Sequence, residues 1–277
     1  MKLRWIFILA IVPAFALGAC SGGNGTSSQT ASPAPSPGAT VLIGASPTMA
    51  GTPLGTAGPS VAVKQVAITD INGDFGEQAI KDEAALGILN TTTGPFRPNA
   101  PITRAQFVRW LVTANNIYFK DSPGKQIRLA KTGPAQFVDV PVSNPRYPEI
   151  QGLANAGYVI GIDSKHFAPN RPITREEMLA IKDPVDEGQA IKMDTGMAEF
   201  DLQRFSDVKQ INKRYVGAID EDRSVRTTQN IARIWGSIKA LMPRKSVTRS
   251  EAAIAIWEIG DGNAAVALGR TAPPPPK

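Results

Sequence analysis

A pattern that occurs three times constrains this chain more than anything else in it. The first copy is Ile68-Thr69-Asp70-Ile71, then Phe96-Arg97-Pro98, then Ile102-Thr103-Arg104-Ala105-Gln106-Phe107. The second is Phe137-Val138-Asp139-Val140, Phe167-Ala168-Pro169 and Ile173-Thr174-Arg175-Glu176-Glu177-Met178. The third is Phe205-Ser206-Asp207-Val208, Leu241-Met242-Pro243 and Val247-Thr248-Arg249-Ser250-Glu251-Ala252. Eight residues separate the Phe or Leu position from the arginine each time, and the arginines recur at intervals of 71 and 74. Such spacing means one supersecondary unit used repeatedly, each copy burying its apolar face against its neighbours.

The Thr-Arg element carries its own local prediction. Thr103, Thr174 and Thr248 are each followed three residues later by Gln106, Glu177 and Glu251, the spacing of a capping box. The preceding Ile102, Ile173 and Val247 stand five residues before Phe107, Met178 and Ala252, the spacing of a hydrophobic staple. Each threonine is therefore expected to be an N-cap and each arginine the first helical residue. A helix start offers free N–H groups and partial positive charge, and an arginine adds a planar fork of donors. That arrangement suits a carboxylate or another anion. An equally physical alternative pairs each arginine with an acid of the neighbouring repeat.

The remaining repeat positions complete a helix–loop–helix unit. Asp74 and Asn144 are placed to cap the first helices, with Pro145 at the first helical position of the second copy. Eight residues after the repeat aspartate stand Gln78, Tyr147 and Tyr215. These tyrosines suit either stacking on a sugar ring or packing in the core. His166, in the turn before Phe167, is expected to be a solvated turn residue.

Outside the repeats the composition changes. Lys2 and Arg4 precede an apolar stretch from Trp5 to Ala19, shorter than the ~20 residues of a spanning helix. It ends in Leu17-Gly18-Ala19-Cys20, which resembles the lipobox of bacterial lipoproteins and implies lipidation of Cys20. An ordinary cleaved signal with an incidental cysteine is the alternative. No charged residue lies between Arg4 and Lys64, and residues 21–60 contain 14 Gly and Pro, too few large side chains to offset ordering entropy. With one Cys and one His, an intramolecular disulfide and a multi-thiolate or multi-histidine metal centre are excluded. The net charge of +6 is mild, and no basic stripe of the nucleic-acid-binding kind is evident.

The three segments resemble S-layer homology modules: an initial Phe-x-Asp-Val, an aromatic, a Gly-containing turn, Phe-x-Pro, and a Thr-Arg-Ala-Glu signature. The resemblance implies a mainly α fold, three helix–loop–helix repeats in a pseudo-threefold helical assembly after a disordered linker. The expected layout is a signal peptide over 1–19, a lipid-anchored linker over 20–63, repeats over 64–116, 135–182 and 203–262, and a disordered Pro-rich tail over 263–277. It also implies grooves for cell-wall polysaccharide, notably polymers bearing ketal-linked pyruvate. Carried over, Arg104, Arg175 and Arg249 beside Thr103, Thr174 and Thr248 would meet the carboxylate. Asp70, Asp139 and Asp207 would order the groove or bind sugar hydroxyls, Tyr147 and Tyr215 are candidate sugar contacts, and Gly87 and Gly157 would let the backbone approach the ligand. The second repeat is the most complete, which puts Arg175 first. The first departs at Ile68, Gln78 and Gln106, and the third at Leu241 and in lacking a clear turn glycine.

These features favour a non-enzymatic envelope lipoprotein, anchored at a membrane through Cys20 and bound to wall polysaccharide, with no cofactor. Ser21 after the cysteine favours the outer membrane. A structural protein whose repeats hold an envelope protein partner is the alternative. A wall hydrolase would need two carboxylates. Asp220, Glu221 and Asp222 are available, but such a run on a helix is expected to be a solvated face.

Overall fold

The structure, a computed structural model, describes residues 62–159, 161–191, 195–224 and 229–271. The expected signal segment with Cys20, the expected linker to residue 61, and residues 272–277 lie outside the described residues. The described residues are mainly helical, with only two-residue strands among them: β1 (Ala67–Ile68) pairs in parallel with β2 (Thr93–Gly94), and β3 (Glu258–Ile259) antiparallel with β4 (Gly262–Asn263). Each repeat supplies two helices. The first are α1 (Glu77–Ala85), α3 (Tyr147–Asn155) and α6 (Val216–Ser224). The second are α2 (Arg104–Tyr118), α4 (Arg175–Glu187) and α8 (Arg249–Ile256). Two further helices, α5 (Thr195–Asp201) and α7 (Asn230–Trp235), lie before and within the third repeat, and α9 (Ala264–Ala267) follows it.

The second helices begin where the capping spacing predicts. Thr103 and Thr248 accept from the N–H groups of Gln106 and Glu251, at 3.2 and 3.1 Å. Glu177 accepts from the Thr174 N–H at 3.1 Å. The staple residues Ile102, Ile173 and Val247 are fully buried, as are Phe107, Met178 and Ala252. Apolar burial on that face, more than propensity, holds these helices in place.

First helices start later than expected. Asp74 and Asn144 accept from the N–H of Gly76 and Arg146, two residues on, closing a turn rather than capping. Their ends follow a stereochemical rule. Gly87 (φ 74°) and Gly157 (φ 76°) stand at C′, and the next N–H reaches back five residues, Ile88 to Glu83 and Tyr158 to Leu153 at 2.9 Å. These are Schellman closures, which need a left-handed residue.

Three bridges link the helix-start segments in a ring: Thr103 with Pro172, Thr174 with Ser246, and Thr248 with Pro101. The backbone N–H of Arg104 donates to Arg171, that of Arg175 to Lys245, and that of Arg249 back to Ala100, at 3.0, 3.0 and 2.9 Å. The next N–H groups, from Ala105, Glu176 and Ser250, donate to Pro169, Pro243 and Pro98. The helix-start donors expected to be free for an anion are thus spent on the neighbouring loop.

Two further expectations are corrected. Helix α4 runs through Pro184 to Glu187, past the boundary at 182, because Gly188 (φ 64°) ends it. Residues 263–271 are not a loose tail: Asn263 caps α9, Ala264 and Ala265 are buried, and Arg270 pairs with Asp82 at 2.5 Å. A large core spans the repeats, and a smaller cluster around Leu179, Leu202, Phe205, Tyr215, Ile219 and Leu241 fills the third.

Candidate functional site

The repeat aspartates do one job three times. Asp70 accepts from the N–H of Phe96 and Arg97 at 2.6 and 2.8 Å. Asp139 accepts from Phe167 and Ala168 at 2.9 and 2.7 Å, and Asp207 from Leu241 and Met242 at 2.9 and 2.7 Å. The second residue of each pair is left-handed without being glycine: Arg97, Ala168 and Met242 have φ of 61°, 58° and 53°. That conformation costs about 1–2 kcal/mol, and the two-oxygen clamp offsets it. Burial tends to raise the Asp70 carboxyl, but the two N–H groups and the nearby Arg249 charge outweigh this and hold it below its ordinary value.

The clamped turn presents its carbonyl to an arginine of the preceding repeat. Arg104, 1 % exposed, donates from Nε to the Phe167 carbonyl at 2.7 Å and lies 4.5 Å over the Phe167 ring. Its Nη1 stands 3.2 Å from Glu177 Oε2. Burial would raise Glu177, but Arg104 and Arg171 hold its carboxyl below the usual range. Arg175, also buried, donates from Nη1 to the Leu241 carbonyl at 3.1 Å and from Nη2 to Glu251 at 3.0 Å. Leu241 offers no ring, and Trp235 of α7 replaces it, 4.3 Å from the Arg175 guanidinium with its indole donating to Glu251 at 2.8 Å. Sequence inspection missed Trp235; its only signal is an aromatic six residues before the leucine that breaks the pattern.

Arg249 completes the ring differently. Its Nε donates to the Phe96 carbonyl at 2.8 Å, and its guanidinium lies 4.4 Å from the Phe96 ring and 4.9 Å from that of Trp110. The position of Glu177 and Glu251 is Gln106 here. Among the described residues no carboxylate forms an ion pair with Arg249, and its two Nη groups make no hydrogen bond. Burial lowers its pKa and the charge of Arg97 adds to that, with Asp70 opposing. Arg97 is exposed, and the matching residues in the other repeats are Ala168 and Met242. The result is a half-buried guanidinium, oriented by two rings and a carbonyl, with both terminal nitrogens available and a second arginine nearby. Such a fork is pre-organised for a planar anion.

The other sequence candidates are engaged elsewhere. Tyr147, 1 % exposed, is in the core and donates to the Gly133 carbonyl at 3.0 Å, and Tyr215 is buried in the smaller cluster, so neither presents a face to a sugar. Gly87 and Gly157 serve helix termination, and a Cβ on Gly87 would meet the Lys64 side chain at 2.9 Å. Thr103 and Thr248 spend their hydroxyl oxygens on caps. His166 is exposed with Nδ1 2.9 Å from Asp163, as a turn residue should be. Asp222 departs from the solvated-face expectation: it is buried and accepts from the N–H groups of Asn230 and Ile231. Among the described residues no group of three or more His, Cys, Asp or Glu is placed to hold a metal, and no helix is long and apolar enough to cross a membrane.

Comparison with known families finds the S-layer homology domain at residues 67–108 and 136–179, covering most of the first two repeats. Domains of this kind generally bind cell-wall polymers, are not catalytic, and occur in cell-envelope or surface proteins. No curated protein matches the chain.

Proposed function

We propose that this chain is a non-enzymatic envelope lipoprotein that holds an anionic cell-wall polysaccharide where its third repeat meets its first. In this reading residues 203–262 form a divergent third module, and the ring of bridges is the seam of a pseudo-threefold assembly. Cys20 carries the lipid, and residues 20–63 let the folded part reach the wall, tethering it to the outer membrane. The observation that carries the site is the contrast among the arginines. Arg104 and Arg175 each form an ion pair with a carboxylate, and among the described residues Arg249 forms none, with Asp70 acting on it only at longer range.

Arg104 and Arg175 are then clasps between repeats, and Arg249 is the ligand-binding member of the set. A bidentate, charge-assisted contact contributes roughly 1.5–3 kcal/mol. Arg249→Ala should weaken binding to purified sacculi about tenfold or more, and should lower the melting temperature less than the other two because it breaks no ion pair among the described residues. Arg104→Ala and Arg175→Ala should lower the melting temperature, since the first leaves the buried Glu177 with Arg171 as its cation and the second removes the Arg175 ion pair of Glu251, yet leave the affinity of the folded protein near wild type. Unchanged sacculus affinity in Arg249→Ala would remove the arginine from the site. Mild-acid removal of ketal-linked pyruvate from the sacculi tests the nature of the anion, and Cys20→Ser tests the anchor by membrane partition.

A further inference from the structure

Phe75 is the most exposed large apolar side chain among the described residues, at 81 %. Its exposure does not come from a loose loop. Asp74 on one side accepts from the Gly76 N–H at 2.8 Å and from the Ser250 hydroxyl. Gly76 on the other side is pressed against α8, so that a Cβ there would lie 2.5 Å from Ser250 Oγ and 3.2 Å from Ile254 Cγ1. The Gly73 N–H donates to Glu77 at 2.8 Å and ties the start of the turn to the first turn of α1. A fixed backbone thus holds an aromatic ring in solvent, where it gains nothing from burial.

The contacts also say which junction this turn belongs to. Both neighbours of Phe75 touch Ser250, and Ser250 follows Arg249 in α8. The same contact recurs between the second and third repeats, where the Asn212 N–H donates to Glu176, the residue after Arg175, at 2.8 Å. The residues following Asp74, Asn144 and Asn212 are Phe75, Pro145 and Lys213. An aromatic therefore opens the first repeat alone, at the junction whose arginine, among the described residues, forms no ion pair with a carboxylate.

From this coincidence we infer that Phe75 is a specificity-determining residue, a stacking platform for a sugar ring of the ligand held at Arg249. This rests on the reading that a wall glycan binds at Arg249. One face of a pyranose is a patch of C–H groups that packs on an aromatic surface, while its substituents reach polar partners. Binding sites commonly combine an aromatic wall with one or two placed charges in this way. The arginine selects the charge and the phenylalanine selects the ring.

The test uses the full chain, purified sacculi, and sodium lactate as a small carboxylate without a ring. Phe75→Ala should weaken sacculus binding five- to tenfold, leave the melting temperature unchanged, and leave the lactate concentration that half-displaces the bound fraction unchanged once corrected for affinity. Phe75→Trp should bind at least as tightly as wild type, and Phe75→Leu should resemble Phe75→Ala. Wild-type affinity in Phe75→Ala, with Arg249→Ala impaired, overturns the platform and leaves the anion site standing. Wild-type affinity in Phe75→Leu overturns ring stacking in favour of plain apolar contact. Wild-type affinity in both Phe75→Ala and Arg249→Ala overturns the platform together with the reading it rests on.

Discussion

At the scale of single residues, one side chain separates an open junction from two closed ones. Gln106 stands where Glu177 and Glu251 stand, and its Oε1 accepts only the Thr103 N–H, at 3.3 Å. Gln106→Glu should give Arg249 the carboxylate that Arg104 and Arg175 have. The expected outcome is a higher melting temperature, by a few degrees, with sacculus binding reduced severalfold. A thermal melt and a pull-down on the same preparation measure both. The Thr-x-x-Glu spacing made the caps legible in the sequence, and the arginine positions with them. What the arginines touch was not legible, because Arg104 meets Phe167 across 63 residues and Arg249 meets Phe96 across 153. The aspartates were visible as a pattern, but their partners are backbone N–H groups, which no residue type announces. Phe75 shares its register with Pro145 and Lys213, and with three unlike residues that register carries no sequence signal.

At the scale of elements, α7 is the piece the repeat pattern did not foresee, and acids position it. Asp222 accepts from its first two N–H groups at 2.5 and 3.0 Å, and Asn230 donates to Asp183 and Asp186 at 2.7 and 2.8 Å. Lys182 pairs with Asp186, and Arg233 with Glu258 at 2.9 Å. Burial pushes the Asp222 carboxyl up to about 6, despite the two N–H groups. Burial, with Asp222 and Asp186 close by, pushes Asp183 well above its usual range. A carboxyl that keeps its proton longer when folded favours the folded state at low pH, and that contribution fades as pH rises through the folded pKa. Stability should therefore fall between pH 4 and pH 6, by on the order of 3 kcal/mol for Asp222. Glu177 and Asp70, held low, act oppositely and only below about pH 4. Asp183→Asn keeps an acceptor for Asn230 and cannot ionise, so its melting temperature should decline less steeply between pH 4.5 and 7. The first-helix starts, misplaced by two residues, show the usual limit of reading ends from cap residues alone.

At the scale of the whole folded part, the chain ends against its own beginning. Arg270 pairs with Asp82, the Trp257 indole donates to the same carboxylate at 3.0 Å, and Ala264 and Ala265 are buried. Truncation after Asp261 should therefore destabilise the first repeat most, because Asp82 stays buried with fewer partners. A drop in melting temperature with faster amide exchange in α1 is the expected result, and unchanged exchange there would count against it. Composition alone hid this return, since Ala-rich residues before a proline run give no sign of burial. The ring of bridges has a further consequence, for the order of events during synthesis. Arg249 belongs to the last repeat to leave the ribosome, and Phe75 and Phe96 to the first. A chain stalled after two repeats holds both aromatics but not the guanidinium, so the proposed site for the wall polymer would be complete only once the third repeat has been made. On the proposed reading, wall attachment would report that a complete molecule has been made and closed, while a truncated product would keep the Cys20 anchor and lack the wall contact.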